Sequence, residues 1–195
     1  MHTNYDQPDF YRFSDDSIKL VNFVFEKVSK QKLNHVLDLC AGSGVVGIEF
    51  ALRQKDLTRL SFCEIQNDFI PFIQKNALNL IPDVNISIHH RGYQNLYLEE
   101  KFDLILSNPP YFYPGKGLLS PNESKNRCRF FIDSNLKELV LCIARLLSAN
   151  GVGYFLGRLN QDELSTSQAA LSVNYKLIQE LDLGSCSIFS ITNLN

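Results

Sequence analysis

The sequence lacks any long uninterrupted apolar run among its 195 residues. A helix that crosses a bilayer needs about 20 mostly apolar residues, so the sequence predicts no transmembrane segment. The first residues, Met1 to Asp6, also lack the apolar core that a signal peptide requires. We therefore expect a cytoplasmic protein with no membrane partner.

Cysteine is sparse, and its spacing argues against structural roles. The five cysteines never occur in C-x-x-C spacing, and they are Cys40, Cys63, Cys128, Cys142 and Cys186. This pattern supports neither a disulfide framework nor a zinc site. His89 and His90 are adjacent on a predicted strand, where neighbouring side chains point to opposite faces, so we expect no metal there either.

The chain also lacks a surplus of positive charge. Nineteen Lys and Arg residues face 21 Asp and Glu residues, a net charge of −2, so the overall field does not attract a polyanion. One stretch differs, because residues 113–131 carry four basic residues against a single acidic one, Glu123; the basic residues are Lys116, Lys125, Arg127 and Arg129. Its glycines and prolines predict a mobile loop that contacts substrate.

Hydrophobic patterning predicts alternating strands and helices up to about residue 171. The predicted strands are His35–Leu39, Arg59–Cys63, Val84–His89, Phe102–Ser107, Val152–Leu156, Tyr175–Asp182 and Cys186–Thr192. The predicted helices are one after Ser14, then Val45–Gln54, Asn67–Leu80, Ile132–Ser148 and Gln161–Leu171. Only three residues join the last two strands, so they form an antiparallel hairpin. We predict one α/β domain over residues 1–195, with a seven-stranded, mostly parallel sheet and helices on both faces.

A glycine-rich turn lies between the first predicted strand and the following helix. Gly42 and Gly44 allow a ligand to approach the backbone, and the helix start adds a positive end. Asp38 precedes Gly42 by four residues and suits a ligand with a cationic amino-acid end, although it could instead only cap the loop amides. Glu64 ends the second strand, where its carboxylate can accept hydrogen bonds from a ribose. These features favour S-adenosylmethionine over a dinucleotide.

The tetrapeptide Asn108-Pro109-Pro110-Tyr111 follows the predicted fourth strand without a break. The carboxyl ends of parallel strands are where such sheets bind ligands. Two prolines stiffen the turn, so the Asn108 amide and the Pro109 carbonyl can act as aimed acceptors for an amino group, and Tyr111 supplies a stacking face. Alternatively, the prolines simply end the strand and Tyr111 packs in the core.

Together these residues resemble the class I S-adenosylmethionine-dependent methyltransferases that carry an N-P-P-Y signature. The lead-in from Gln7 to Ile18 and the signature from Asn108 to Phe112 are similar to bacterial enzymes that make N6-methyladenosine in a valine tRNA. The resemblance implies a Rossmann-like fold, S-adenosylmethionine as cofactor and an RNA substrate, most specifically tRNA. It also implies that Asn108, Pro109 and Tyr111 are catalytic.

The resemblance further assigns contacts to cofactor and substrate. Asp38, Gly42, Gly44, Glu64 and Asn108 are expected to contact the cofactor. The relatives commonly place an acidic or amide residue against the cofactor adenine, a position that Gln94 or Asn95 takes here. The expected substrate contacts are Phe112, Lys116, Lys125, Arg127 and Arg129, of which Arg129 also matches the relatives' charged segment after the signature.

Three other functions remain open from the sequence. A protein glutamine side chain presents the same planar amide to the Asn-Pro-Pro-Tyr turn, so a protein amide methyltransferase is possible. Around Arg129 the sequence is Cys128-Arg129-Phe130-Phe131, which keeps only the arginine of the relatives' charged segment. A non-catalytic module that binds cofactor or RNA would tolerate this change. A dinucleotide-dependent oxidoreductase is disfavoured by Asp38. The oligomeric state is not specified by the sequence, and a monomer is favoured.

Overall fold

A seven-stranded sheet forms the centre of the structure, a computed structural model that describes residues 4–115 and 117–194. Its strands are β1 (Val36–Leu39), β2 (Arg59–Glu64), β3 (Asn85–His90), β4 (Phe102–Ser107), β5 (Leu147–Gly157), β6 (Tyr175–Asp182) and β7 (Ser187–Asn193). The spatial order is β3-β2-β1-β4-β5-β7-β6. Strands β1 to β5 pair in parallel, and β7 pairs antiparallel with both β5 and β6. The predicted fold class is therefore confirmed.

Helices cover both faces of this sheet. They are α1 (Asp15–Val28), α2 (Val45–Arg53), α3 (Ile70–Leu80), α4 (Glu123–Arg127), α5 (Leu136–Leu146) and α6 (Gln161–Ala170). One apolar core joins α1, α2 and α3 to the sheet, and a second core joins α5 to the opposite face. Within the described ranges, no helix is both long enough and apolar enough to cross a membrane.

The predicted boundaries differ most around α5. The predicted helix Ile132–Ser148 begins only at Leu136, because Asn135 forms a capping box with Glu138 in which the Asn135 side chain accepts from the Glu138 N–H at 3.0 Å. Strand β5 starts at Leu147 instead of Val152. The capping box therefore fixes the start of α5 at Leu136, although the apolar pattern begins earlier in the sequence.

The stretch over 113–131, predicted to remain irregular, contains the short helix α4. Asn122 caps α4 by accepting from the Lys125 N–H at 2.8 Å. Asn126 is buried, and its side-chain amide holds the Ser120 N–H at 2.7 Å and the Ser120 carbonyl at 2.8 Å. These local hydrogen bonds give Glu123–Arg127 a regular form, so the segment is not irregular throughout. Its mobility and its contact with substrate stay predictions.

The amino-terminal lead-in packs against the glycine loop and α3. The Asn76 side chain on α3 exchanges hydrogen bonds with the Asp6 backbone at 3.0 and 2.9 Å, and donates to the Ser43 carbonyl at 2.9 Å. The ring edges of Phe10 and Tyr11 contact Phe69. The lead-in therefore lies beside the carboxyl end of the sheet.

A partly buried polar cluster surrounds Glu100, which lies shortly before β4. His35 Nε2 is 2.8 Å from Ser61 Oγ, and its Nδ1 is 3.5 Å from a Glu100 carboxylate oxygen. His89 Nε2 lies 3.9 Å from the other Glu100 oxygen. Burial lowers the pKa of both histidines, with Arg59 as a second cause at His35. Both imidazoles are therefore harder to protonate in the folded protein than in the unfolded chain.

We expect the folded protein to lose stability as the pH falls below about 6.5, the ordinary histidine pKa. Because the pKa of His35 and His89 is lowered on folding, the unfolded chain binds more protons in that range. We measure the free energy of unfolding by urea titration in a mildly alkaline and in a mildly acidic buffer. The decrease between the two buffers should be smaller for the variant His35→Gln/His89→Gln than for the parent. Replacing the exposed His90 by Gln is the matched control, and equal pH dependence in parent and double variant would contradict this account.

Candidate active site

A cleft of about 650 Å³ opens to solvent at the carboxyl ends of β1, β2 and β4. Four of the predicted cofactor residues line it together: Gly42, Glu64, Gln94 and Asn108. They come from four separate chain segments, and the parallel strands bring them to one edge. The structure thus brings these four residues to one cleft, whereas the predicted site residues Asp38, Gly44, Pro109 and Tyr111 do not line it.

The glycine loop has positive φ angles, which residues with a side chain rarely adopt. Gly42 has φ +53° and Gly44, the residue before α2, has φ +81°. A Cβ on Gly44 would lie 3.2 Å from both Ile48 Cδ1 and Phe62 Cε1. Gly44 does not line the cleft, so it acts by shaping the loop. Cys40, just before the loop, also has a positive φ of 63°, which indicates local strain.

Glu64 joins the glycine loop to the end of β2. One carboxylate oxygen accepts from the Gly42 N–H at 2.8 Å, and the other accepts from the Gln66 N–H at 2.8 Å. Burial raises the pKa of Glu64, and the backbone donors oppose that rise. The Ile65 N–H is a third backbone donor to this carboxylate. About one of the four lone-pair positions of a carboxylate is therefore left for a ribose hydroxyl. The carboxylate therefore fits the predicted role while also supporting the loop.

Asp38 lies beneath the glycine loop and does not line the cleft. One of its carboxylate oxygens accepts from the Gly47 N–H at 2.8 Å, and the other has no hydrogen-bond partner in the described part of the chain. The residue is fully buried, and burial raises its pKa well above the ordinary value. The structure therefore places Asp38 as a cap on the loop amides. Its direct contact with a cofactor amino group stays a prediction.

Gln94 offers an unsatisfied acceptor at the cleft. Its Nε2 donates to the Asp133 carbonyl at 3.3 Å, whereas its buried Oε1 has no partner among residues 4–115 and 117–194. A Cβ on Gly92 would lie 2.3 Å from this oxygen, so the absence of a side chain there allows Gln94 to fold back. A buried acceptor without a donor is costly. The oxygen is covered by the protein, so a cofactor adenine reaches it only if the Gln94 side chain turns, and the adenine contact stays a prediction.

The Asn108 side chain is held from two sides. Its Nδ2 donates to Ser17 Oγ at 2.8 Å, and its Oδ1 accepts from the Tyr111 hydroxyl. Burial raises the pKa of Tyr111 far above its ordinary value, which keeps the phenol protonated and able to donate. Asn108 lines the main cleft, whereas Pro109 and Tyr111 border a second, smaller cavity of about 250 Å³.

The predicted basic substrate contacts do not form one patch. Lys116 lies outside the described residues. Lys125 is exposed on α4, and Arg127 lines the main cleft with its Nε 3.0 Å from an Asp133 carboxylate oxygen. Arg129 is exposed, and its guanidinium lies 6.0 Å from the Phe112 ring. Among the described members of this set, Arg129 and Phe112 are in contact.

Two residues near the site were missed from the sequence. Tyr11 lines the cleft beside Glu64, and burial raises the Tyr11 pKa to about 12. The sequence offered a signal for Tyr11, because it belongs to the lead-in from Gln7 to Ile18 that resembles the bacterial methyltransferases. Arg158, directly after β5, places its guanidinium 5.0 Å from the Phe112 ring. No sequence signal linked Arg158 to Phe112.

Potential metal ligands are not grouped near the cleft. In the described part of the chain, no three His, Cys, Asp or Glu side chains are arranged to hold a metal ion.

Comparison with known protein sequences identifies a family and several curated relatives. The sequence model of the methyltransferase small-domain family matches residues 13–118 of this chain. A tRNA1(Val) (adenine(37)-N6)-methyltransferase from Pedobacter heparinus is 29% identical over 132 residues, which cover 68% of this chain and 55% of that protein. The chain spans about half to three fifths of the length of the curated relatives it matches.

Solved structures share the fold at low sequence identity. A ribosomal protein methylase from Lactobacillus delbrueckii subsp. bulgaricus has a TM-score of 0.66 and 17% identity, covering 94% of this chain and 81% of that chain. A T. thermophilus 16S rRNA methyltransferase, solved in complex with AdoMet and guanosine, also has a TM-score of 0.66 and 17% identity, covering 93% and 44%. At such identity the likeness concerns the fold alone.

Proposed function

We propose, since the chain belongs to the methyltransferase small-domain family, that it transfers the methyl group of S-adenosylmethionine to the N6 amino group of an adenine in RNA, most specifically in tRNA. One observation carries this proposal: Asn108, at the end of β4, lines the same cleft as Glu64 and Gln94. An amide acceptor for an amino group therefore lies beside a set of groups suited to a nucleoside cofactor. The curated relatives named as tRNA adenine methyltransferases support the choice of substrate.

The cofactor would be held by groups of three kinds. Glu64 would accept a hydrogen bond from a ribose hydroxyl, and Gly42 allows close approach of the backbone. The Gln94 Oε1 would accept from the adenine amino group once its side chain turns. Asp38 would keep the loop in shape through Gly47. When bound, the cofactor supplies a methyl group on a sulfonium, whose sulfur leaves without acid catalysis.

Asn108 and Pro109 would receive the target amino group. The Oδ1 of Asn108 already accepts from the Tyr111 hydroxyl and keeps a second lone pair for an amino hydrogen. The Pro109 carbonyl would accept the other hydrogen. Held in this way, the nitrogen lone pair can be aimed at the methyl carbon, and alignment of this kind lowers the barrier through orientation.

Tyr111 and Phe112 would provide the aromatic surface for an adenine turned out of its stack. Base stacking on an aromatic ring contributes about 1–3 kcal/mol, which offsets part of the unstacking cost of a few kcal/mol. Lys116, Lys125, Arg127 and Arg129 are proposed to contact RNA outside the pocket. We further propose that the chain acts as one domain and as a monomer.

The direct test is incubation with methyl-labelled S-adenosylmethionine and unmodified total RNA, DNA and protein from the source cell. We expect label in N6-methyladenosine from the small-RNA fraction, and far less when the parent is replaced by the Asn108→Ala variant. Nucleoside and amino-acid analysis identifies the product. Label in glutamine side chains would instead support a protein amide methyltransferase, and retention of cofactor binding without any labelled product would support a non-catalytic module.

A further inference from the structure

Two arginines from distant parts of the chain lie near the ring of Phe112. The Arg129 guanidinium is 6.0 Å from the ring centroid, and the Arg158 guanidinium is 5.0 Å from it. Both arginines are exposed, and Phe112 is partly exposed. We call these three residues the Phe112 cluster. It presents two planar cations and an aromatic edge immediately after the Asn108–Tyr111 turn.

Backbone hydrogen bonds hold the Phe112 cluster in place. The Phe112 N–H donates to the Arg129 carbonyl at 3.0 Å, and the Phe131 N–H donates to the Phe112 carbonyl at 2.7 Å. Arg158 is positioned independently, because it follows β5, the strand that pairs with β4. The cluster is therefore built by the strand order and does not depend on one flexible loop.

Arg158 also lies close to the catalytic turn. It lines the cavity of about 250 Å³ that Pro109 and Tyr111 border. Glu163 borders the same cavity, but its carboxylate accepts from the Asn160 N–H at 3.0 Å in the cap of α6. A substrate that reaches Tyr111 would therefore pass within the range of the Arg158 charge.

The charges of the cluster are uncompensated by neighbouring carboxylates. Within the described ranges, neither Arg129 nor Arg158 has a carboxylate within 4.0 Å, whereas Arg127 is paired with Asp133 at 3.0 Å. Arg127 therefore has part of its charge neutralised at the cofactor cleft. In a chain of net charge −2, free cations beside the site are the groups available to a polyanion.

We propose that Arg129 and Arg158, oriented by Phe112, bind backbone phosphates of the RNA strand next to the target base. Exposed guanidinium planes beside an aromatic ring are the chemistry that recognises single-stranded RNA, through phosphate pairing and stacking. This inference rests on the proposed function. It assigns a substrate contact to Arg158. It also makes the Phe112 cluster the main RNA contact, in place of the α4 residues Lys125 and Arg127.

The test compares RNA binding by the parent and by Arg129→Gln/Arg158→Gln, using unmodified, transcribed valine tRNA over a range of salt concentrations. Two lost phosphate contacts should reduce the slope of log affinity against log salt by about 1.4–1.8, since each contact contributes about 0.7–0.9. At physiological ionic strength, affinity should fall about tenfold or more, because charged hydrogen bonds are lost. Cofactor affinity, measured by calorimetry, should stay unchanged.

Three further variants make the result specific. Lys30→Gln/Lys32→Gln removes the same charge near the amino end of β1, far from the cleft, and should leave the slope at the parent value. Lys125→Gln/Arg127→Gln should change the slope less than the cluster variant does. Arg129→Lys/Arg158→Lys keeps both charges and should restore most of the slope.

The outcomes separate this inference from the proposed function. If the parent methylates RNA and the cluster variant binds it with the parent's affinity and slope, the inference is overturned while the proposed function stands. An equal loss in the Lys30/Lys32 control would also overturn it, because the effect would then come from net charge. If the parent neither binds nor methylates RNA, the proposed function itself fails.

Discussion

Replacement of Asn108 by Ala should lower the methylation turnover by about 10²–10³-fold, the loss typical of removing one aimed polar group from a reacting centre. The Oδ1 that would accept an amino hydrogen sits at the cleft. Its contribution is greatest in the transition state, when the amino nitrogen loses conjugation with the ring, so turnover suffers more than binding. Calorimetric affinity for S-adenosylmethionine should remain nearly that of the parent.

Two variants of its neighbours distinguish chemistry from support of the fold. Ser17→Ala removes the partner of Asn108 Nδ2, and Tyr111→Phe removes the hydroxyl that binds Oδ1 while keeping the ring. Both leave the Asn108 acceptor in place, so each should reduce turnover much less than Asn108→Ala. If Asn108→Ala lowers cofactor affinity and turnover by the same factor, Asn108 only supports the fold.

Replacement of Glu64 by Gln should weaken S-adenosylmethionine binding by about tenfold to a hundredfold, because hydrogen bonds to charged groups contribute about 1.5–3 kcal/mol each. The amide nitrogen of Gln would face either the Gly42 N–H or the Gln66 N–H, so one donor would oppose another. The loop and the ribose contact should therefore be lost together. Calorimetry with the cofactor measures the change.

The surface variant Glu99→Gln removes an equal charge from an exposed position and should bind the cofactor like the parent. Thermal unfolding of both variants checks that the fold persists. Unchanged cofactor affinity in a folded Glu64→Gln variant would exclude Glu64 from the cofactor site. The glycine loop alone would then have to hold the nucleoside.

The expectations that depended on local patterns were largely confirmed. Apolar runs and alternation identified all seven strands, and the short link predicted between the last two strands identified the antiparallel hairpin. The expectation that the chain belongs to a methyltransferase family was confirmed as well, whereas S-adenosylmethionine as its cofactor stays a proposal. Errors appeared where side-chain caps outweighed the hydrophobic pattern, as Asn135 did at α5 and Asn122 did at α4.

The grouping of site residues was also accessible from the sequence. Gly42, Glu64 and Asn108 each follow a parallel strand, and parallel strands bring their carboxyl ends to one edge. Gln94 was placed near this edge through the resemblance, and the structure adds its unpaired oxygen. The roles of these side chains toward cofactor and substrate stay predictions.

By itself, the sequence determined which strands run parallel, where the antiparallel hairpin lies and at which edge of the sheet the site forms. These features follow from short-range periodicity and from the direction of the chain. Only the tertiary structure decided that Asp38 lies beneath the loop, that Arg127 pairs with Asp133 and that Arg158 meets Phe112. Each of these contacts depends on which side chains share a buried space or a surface after the strands are assembled. Residues 46 positions apart, such as Phe112 and Arg158, meet because β4 and β5 are neighbours in the sheet, and no local pattern encodes that meeting.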